Sequence, residues 1–214
     1  KVALVIGNSD YLEESSLSNP LNDARDVAQA LRDLGFEVTL LENANLRKIE
    51  EAIDNFNRRL EKDGIGVFYY AGHGVQVEGE NYLVPVDARL IREKEVKYEA
   101  YPLGKLLIAM EDAETRVNIV IIDACRNNPF YRRWRSRNRN FTTQGLAVQT
   151  PPQGTVIAFA TAPGQQAADG VGQRNSPFTS NLLQHIKTEN LDVVLMFRQV
   201  RAEVLEDTNG EQAP

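Results

Sequence analysis

The chain has 214 residues but only one cysteine, two histidines, one tryptophan and two methionines. A single cysteine excludes an internal disulfide, so the fold must rest on its hydrophobic core. The same scarcity fits a reducing compartment, and the cytoplasm is the expected location. One cysteine and two scattered histidines show no zinc-ligand spacing. No run approaches the roughly 18 apolar residues of a membrane span. A formal charge of −6 argues against a general affinity for nucleic acid or anionic membrane. No internal repeat suggests a solenoid. The chain begins at Lys1, directly in a strand-like run, as an excised domain would.

What is present reads as strands alternating with helices. At 42% hydrophobic content the chain is long enough for one well-packed domain. Val2 to Ile6 is an apolar run ending at Gly7-Asn8, the pattern of a strand buried on both faces. Asn22 to Leu34 carries Val27, Ala30, Leu31 and Leu34 at helical spacing, and Gly35 supplies the stop. Phe36 to Leu41 predicts a second strand, Leu46 to Leu60 a second helix, and Gly66 to Ala71 a third strand with His73 just beyond it. Val75 to Val86 predicts a hairpin turning at Glu78-Gly79-Glu80-Asn81. Leu103 to Met110, Phe178 to Ile186 and Val193 to Leu205 predict helices. Val117 to Asp123 and Thr155 to Ala160 predict strands. The alternation implies an α/β fold, a mostly parallel central sheet with helices on both faces.

One segment breaks the pattern. Asn127 to Gln149 is polar and dense in arginine (Arg132, Arg133, Arg135, Arg137 and Arg139), so it reads as an exposed loop. It divides the single domain, 1–214, into parts 1–126 and 150–214.

Two strand ends carry reactive side chains, Tyr69-Tyr70-Ala71-Gly72-His73-Gly74 and Ile121-Ile122-Asp123-Ala124-Cys125-Arg126-Asn127. Chemistry gathers at the carboxyl ends of strands in open parallel sheets, so a thiol nucleophile and an imidazole base could meet there. The competing reading of Cys125 is a small core residue. Against it, Asp123 precedes and Arg126-Asn127-Asn128-Pro129 follows, so the strand is leaving the apolar interior, and nearby positive charge favours a thiolate. The glycines flanking His73 argue for close backbone approach. The Gly74 and Cys125 amides could hold an oxyanion. His185 follows no strand and reads as a helix-surface or interface residue.

These motifs resemble the caspase-like cysteine peptidases of clan CD, in which the histidine precedes the cysteine by roughly 50 residues. The bacterial orthocaspase branch, related to metacaspases and paracaspases, is the most similar. Leu4-Val5-Ile6-Gly7-Asn8, Asn22-Asp23-Ala24, Asn81-Tyr82-Leu83-Val84-Pro85-Val86-Asp87-Ala88, Ala160-Thr161-Ala162-Pro163-Gly164 and Ser176-Pro177-Phe178-Thr179 extend the likeness over nearly the whole chain.

The resemblance implies a three-layer caspase-like sandwich and a Cys125–His73 dyad. It implies cleavage after arginine, with lysine as the alternative, through a pocket in which Asp23 and Asp123 hold the basic side chain. Apart from the resemblance, Asp169, in the loop after the Thr155–Ala160 strand, is expected to add negative potential near the pocket. A forked guanidinium suits paired carboxylates. The plainer readings are a helix N-terminal residue for Asp23 and a strand-end turn former for Asp123. The arginine-rich loop falls where such enzymes join large and small subunits, so Arg132, Arg133, Arg135, Arg137 and Arg139 become candidate self-cleavage positions. A solvated loop or anionic-partner patch competes.

Two features depart from the relatives. Ala71 stands where many metacaspases have serine. The segment after His73 offers only Glu78 and Glu80, whereas calcium takes six to eight oxygen ligands. Neither calcium nor another cofactor is therefore expected. The partners implied are basic-residue protein or peptide substrates, and a monomer is favoured over an edge-strand dimer. The fold is expected to continue past Pro214. The alternatives are a catalytically inactive interaction or signalling domain of the same fold, and a clan hydrolase acting on a small amide or ester.

Overall fold

The structure is a computed structural model that describes residues 1–125, 130, 134, 146–162, 167, 169–170 and 172–214, with Cys125 described by its backbone. Its strands are β1 (Val2–Gly7), β2 (Glu37–Glu42), β3 (Ile65–Val77), β4 (Glu80–Leu83), β5 (Tyr101–Pro102), β6 (Val117–Cys125) and β7 (Thr155–Phe159). The helices are α1 (Pro20–Asp33), α2 (Leu46–Arg59), α3 (Val96–Glu99), α4 (Leu103–Asp112), α5 (Pro177–His185) and α6 (Val193–Asp207). Strands β2, β1, β3, β6 and β7 lie side by side, all parallel. The far end of β3 turns through Glu78-Gly79 into β4, which pairs with β5. Both turn residues have positive φ, 51° and 85°, as a type I′ turn demands. This is the expected α/β sandwich.

Period-two alternation sends successive strand side chains to opposite faces. Leu4, Ile6, Phe68, Tyr70, Val120 and Ile122 bury against Ile49, Ile53 and Phe56 of α2 and Leu106, Leu107 and Met110 of α4. Ala3, Val5, Val67, Tyr69 and Ile121 bury against Val27 and Leu31 of α1, Phe178 and Leu182 of α5, and Val200 and Val204 of α6. A third cluster lies around the hairpin, where Val75, Val77 and Tyr82 meet Tyr11, Leu90, Phe130 and Trp134. From β1 the chain crosses first to β2 on one side and later to β3 on the other. The crevice at the carboxyl ends of β1 and β3 is therefore the switch point where ligands bind in open sheets.

Three expectations need correction. β3 does not end at Ala71 but runs on through His73 to Val77, and β6 includes Cys125 as its last residue. Both reactive residues thus belong to strands rather than to the loops after them. The hairpin turn is two residues, not four. The 127–149 segment is not uniformly exposed. Phe130 and Trp134 are buried, stacked at 5.5 Å, and Trp134 Nε1 donates to Leu90 O at 3.0 Å. A composition-based reading averages such an aromatic pair into the polar stretch that carries it. Arg132, Arg133, Arg135, Arg137 and Arg139 lie outside the described residues.

Candidate active site

The loop Asn8–Asn19, between β1 and α1, organises the crevice. Asn8 anchors its start, donating through Nδ2 to Val84 O at 3.1 Å and accepting Ala44 N–H at 2.9 Å. Asn43, at φ 48°, accepts the Ser9 and Asp10 amides. Tyr11 then reaches back to β3, where its Oη accepts the His73 backbone N–H at 2.7 Å and its ring lies 4.4 Å from the imidazole. Tyr70 Oη contacts the carbonyls of His73 and Val84 at 2.8 and 3.0 Å. A Cβ on Gly72 would lie 2.6 Å from Tyr11 Oη and 2.8 Å from Tyr70 Oη, so only glycine fits above these hydroxyls.

His73 is 4% exposed. Its Nε2 lies 3.2 Å from Ser15 O, and a carbonyl can only accept, so Nε2 carries the hydrogen. Nδ1 is buried without a hydrogen-bond partner among the described residues. In neutral imidazole that nitrogen holds the lone pair. Burial pushes the His73 pKa below the usual imidazole value, against the Ser15 hydrogen bond and the Asp169 charge. The ring is therefore neutral near pH 7, with the Nδ1 lone pair available to take a proton. Across the parallel ladder His73 is the register partner of Cys125. Neighbouring strands run about 5 Å apart, so the fold brings the two residues side by side.

Beside them lies a narrow cavity of about 20 Å³, lined by Leu17, Asp23, Gly72, Asp123, Asp169 and Ser176 among others. The three acidic residues arrive from α1, β6 and the segment preceding α5. Asp23 is 1% exposed and Asp123 7%. Burial first, and then the Asp123 charge, raise Asp23 to about 8, against hydrogen bonds from Asn175 and Ser176. Burial also raises Asp123 to about 6, opposed by Ser176 and Thr179 hydroxyls, which donate to Oδ2 at 2.5 and 2.7 Å. Asp169 accepts the Ser18 amide at 2.5 Å. Asn19, the residue capping α1, does not use its side chain as a cap. Its Nδ2 instead donates to the Asp169 and Gly170 carbonyls. All these donors are neutral, so no cation among the described residues offsets the three carboxyl groups, and Asp23 keeps its proton at neutral pH.

Asp23, Asp123 and Asp169 thus line one cavity, next to the His73–Cys125 pair. Gly74, whose amide was an oxyanion candidate, sits where a Cβ would come within 3.3 Å of Ala124 and Leu146. His185 stands apart, its Nε2 2.7 Å from Glu203 Oε2, joining α5 to α6. Sequence reasoning missed Tyr11, Tyr70 and Ser15 as supports of His73, and the hydroxyls of Ser176 and Thr179. A roomier apolar groove of about 550 Å³ lies between β7 and α6, and among the described residues that line it there is no cysteine, histidine or acidic side chain. Among the described residues no set of three metal-ligating side chains converges, and no helix is long and apolar enough to cross a membrane.

Residues 1–214 match the caspase domain of the C14 peptidase family. The human mucosa-associated lymphoid tissue lymphoma translocation protein 1 is 31% identical over 221 aligned positions, which cover 100% of this chain and 25% of that protein. The mouse homologue is 36% identical over 131 positions, covering 61% of this chain and 15% of its own. A probable protease of a Desulfuromonadales bacterium is 27% identical over 150 positions, 65% of this chain and 17% of that one. The chain spans a quarter or less of the length of these relatives. A crystal structure of a Geobacter sulfurreducens protein superposes with a TM-score of 0.70 at 20% identity, covering 100% of this chain and 90% of the other, a likeness of fold alone.

Proposed function

Since the chain belongs to the caspase domain family of peptidases, we propose that it is a cysteine endopeptidase cleaving after arginine, with lysine as the alternative. The observation that carries this reading is the register pairing of His73 with Cys125 on the two strands whose Gly72 and Asp123 line a cavity shared with Asp23 and Asp169. The substrate's basic side chain enters as that cavity widens from about 20 Å³, and donates charge-assisted hydrogen bonds to Asp23, Asp123 and Asp169. Binding the cation there sets the following carbonyl against Cys125.

His73 Nδ1 takes the thiol proton and the thiolate adds to the carbonyl carbon. The developing oxyanion accepts the Gly74 and Cys125 amides, a contribution of roughly 3 kcal/mol per donor in comparable hydrolases. The C–N bond breaks as His73 returns its proton to the leaving amine. Water, deprotonated by the same nitrogen, then adds to the thioester and releases the acid. Ser15 O fixes the tautomer on which each transfer depends. The buried, neutral ring is ready to accept a proton at pH 7. No step requires calcium or another cofactor. The arginines 132, 133, 135, 137 and 139 match the same specificity, so the chain is itself a candidate substrate.

A fluorogenic peptide with arginine before the leaving group tests the reading. Wild type should turn it over, equally with and without a calcium chelator, and Cys125→Ala should not. No turnover with any basic peptide, together with no alkylation of Cys125, would instead assign a non-catalytic interaction domain.

A further inference from the structure

Besides accepting the Ser180 amide on its carbonyl, Ser176 makes three hydrogen bonds at the junction between the cavity and α5. It stands at the N-cap of that helix with φ −60° and ψ 155°. Its Oγ accepts the Thr179 amide at 2.9 Å, as capping residues do. A hydroxyl has one hydrogen, and here it is directed to Asp123 Oδ2 at 2.5 Å. Its backbone N–H donates to Asp23 Oδ1 at 3.1 Å. One residue, 3% exposed, therefore tethers carboxylates that arrive from α1 and β6. Thr179, one turn on, adds a second donor to Asp123 Oδ2 and lies 2.6 Å from Tyr69 Oη.

We infer that Ser176 is the positioning residue that holds Asp23 and Asp123 as a matched pair of acceptors for a basic side chain, and so sets the pH range over which the cavity captures one. The inference rests on the reading of the cavity as a basic-residue pocket. The charged and titratable groups facing Asp123 are Asp23 from α1, Asp169 from the segment before α5 and the Tyr69 phenol from β3. Arg174, the cation nearest Ser176 in sequence, is committed to Asp26 at 2.7 Å, and Arg25, two residues from Asp23, to Glu42 at 2.7 Å. No positive charge therefore offsets the pair from within the described residues, and neutral hydroxyl donors govern how readily it ionises. A hydrogen bond to a carboxylate favours the charged form, so deleting the Ser176 hydroxyl should leave Asp123 protonated to higher pH.

Agmatine, a small guanidinium cation, provides the probe, with binding measured by calorimetry on the full chain from about pH 6 to pH 9. Wild-type affinity should rise with pH as the pair loses its protons. Ser176→Ala should bind roughly tenfold more weakly near pH 7, with its rise displaced to higher pH. Ser176→Thr, which keeps both Oγ bonds, should stay within about threefold of wild type. Ser176→Gly keeps the amide donor and is tolerated at an N-cap, so it should reproduce the displacement if the alanine variant folds poorly. An unshifted profile in both the alanine and glycine variants overturns the inference, as does threonine failing as badly as alanine. Absence of agmatine binding to wild type overturns it together with the pocket reading. Wild type that binds agmatine in this manner yet cleaves no arginyl peptide defeats the peptidase reading and leaves the role of Ser176 standing.

Discussion

Replacing Asp23 with asparagine should stabilise the folded chain at pH 8 while abolishing capture of a basic side chain. Asp23 is buried, and its pKa rises from the ordinary 3.8 to about 8. In the unfolded chain the group ionises near 3.8, whereas the folded chain keeps the proton until about pH 8. Between those values the native state binds the extra proton, so stability falls as pH rises through the window. The accumulated deficit above pH 8 is on the order of 5 kcal/mol at about 1.4 kcal/mol per pH unit. Asp123 shares that titration, and a buried amide still loses hydration, so a net gain of about 2 kcal/mol is the expected return. For a domain of this size that is a rise in Tm of about 4–8 °C. At about pH 4.5, where wild-type Asp23 is protonated, the advantage should vanish. Thermal unfolding at the two pH values is the assay. A variant with unchanged or lower Tm at both would refute the claim that ionising the buried Asp23 costs the folded chain stability. Stability given up for a binding site is a familiar trade.

Three further outcomes follow from the geometry. Gly72→Ala should cost about 2–3 kcal/mol in urea unfolding, because the new methyl would meet the Tyr11 and Tyr70 hydroxyls at 2.6 and 2.8 Å; unchanged stability would contradict the tyrosine support of β3. Asn19→Ala removes the donors that hold the Asp169 and Gly170 carbonyls, so KM for arginyl peptides should rise about fivefold with kcat nearly kept; a fall in kcat alone would contradict that role. Burial depresses the His73 pKa, so below about pH 6.5 the unfolded chain binds more protons and His73 contributes stability that is lost on acidification. His73→Gln should remove that component, visible as a wild-type-minus-variant difference in unfolding free energy that grows as pH rises towards the ordinary imidazole value of about 6.5; a flat difference would contradict it.

Much of the sheet was legible because its signals are local. The apolar run at Val2–Ile6 and the stripe Val27, Ala30, Leu31, Leu34 before Gly35 predict β1 and α1 to within two or three residues of Val2–Gly7 and Pro20–Asp33. The continuation of β3 was not legible, because Gly72-His73-Gly74 looks like a break. Gly72 clears the two tyrosine hydroxyls and Gly74 packs on Ala124 and Leu146, contacts set by other strands and loops. Phe130 and Trp134 were hidden by the arginines around them, since composition averages over residues that fold separately. At the site, His73 and Cys125 announce themselves as rare reactive residues at strand ends. The convergence of Asp23 with Asp123 came from family resemblance, since no spacing along the chain encodes it. Ser15, Tyr11, Ser176 and Thr179 act through hydrogen bonds to residues more than 50 positions away, which no local pattern reveals.

The central claim is that an acidic cavity delivers a basic residue to Cys125 with His73 beside it. Intact-mass analysis after treatment with a peptidyl-arginyl chloromethyl ketone tests it most directly. The account predicts a single adduct on Cys125, formed much faster than with the aspartyl analogue and slowed by His73→Ala or Asp123→Asn. Equal rates for the two reagents, or an adduct on any other residue, would contradict it.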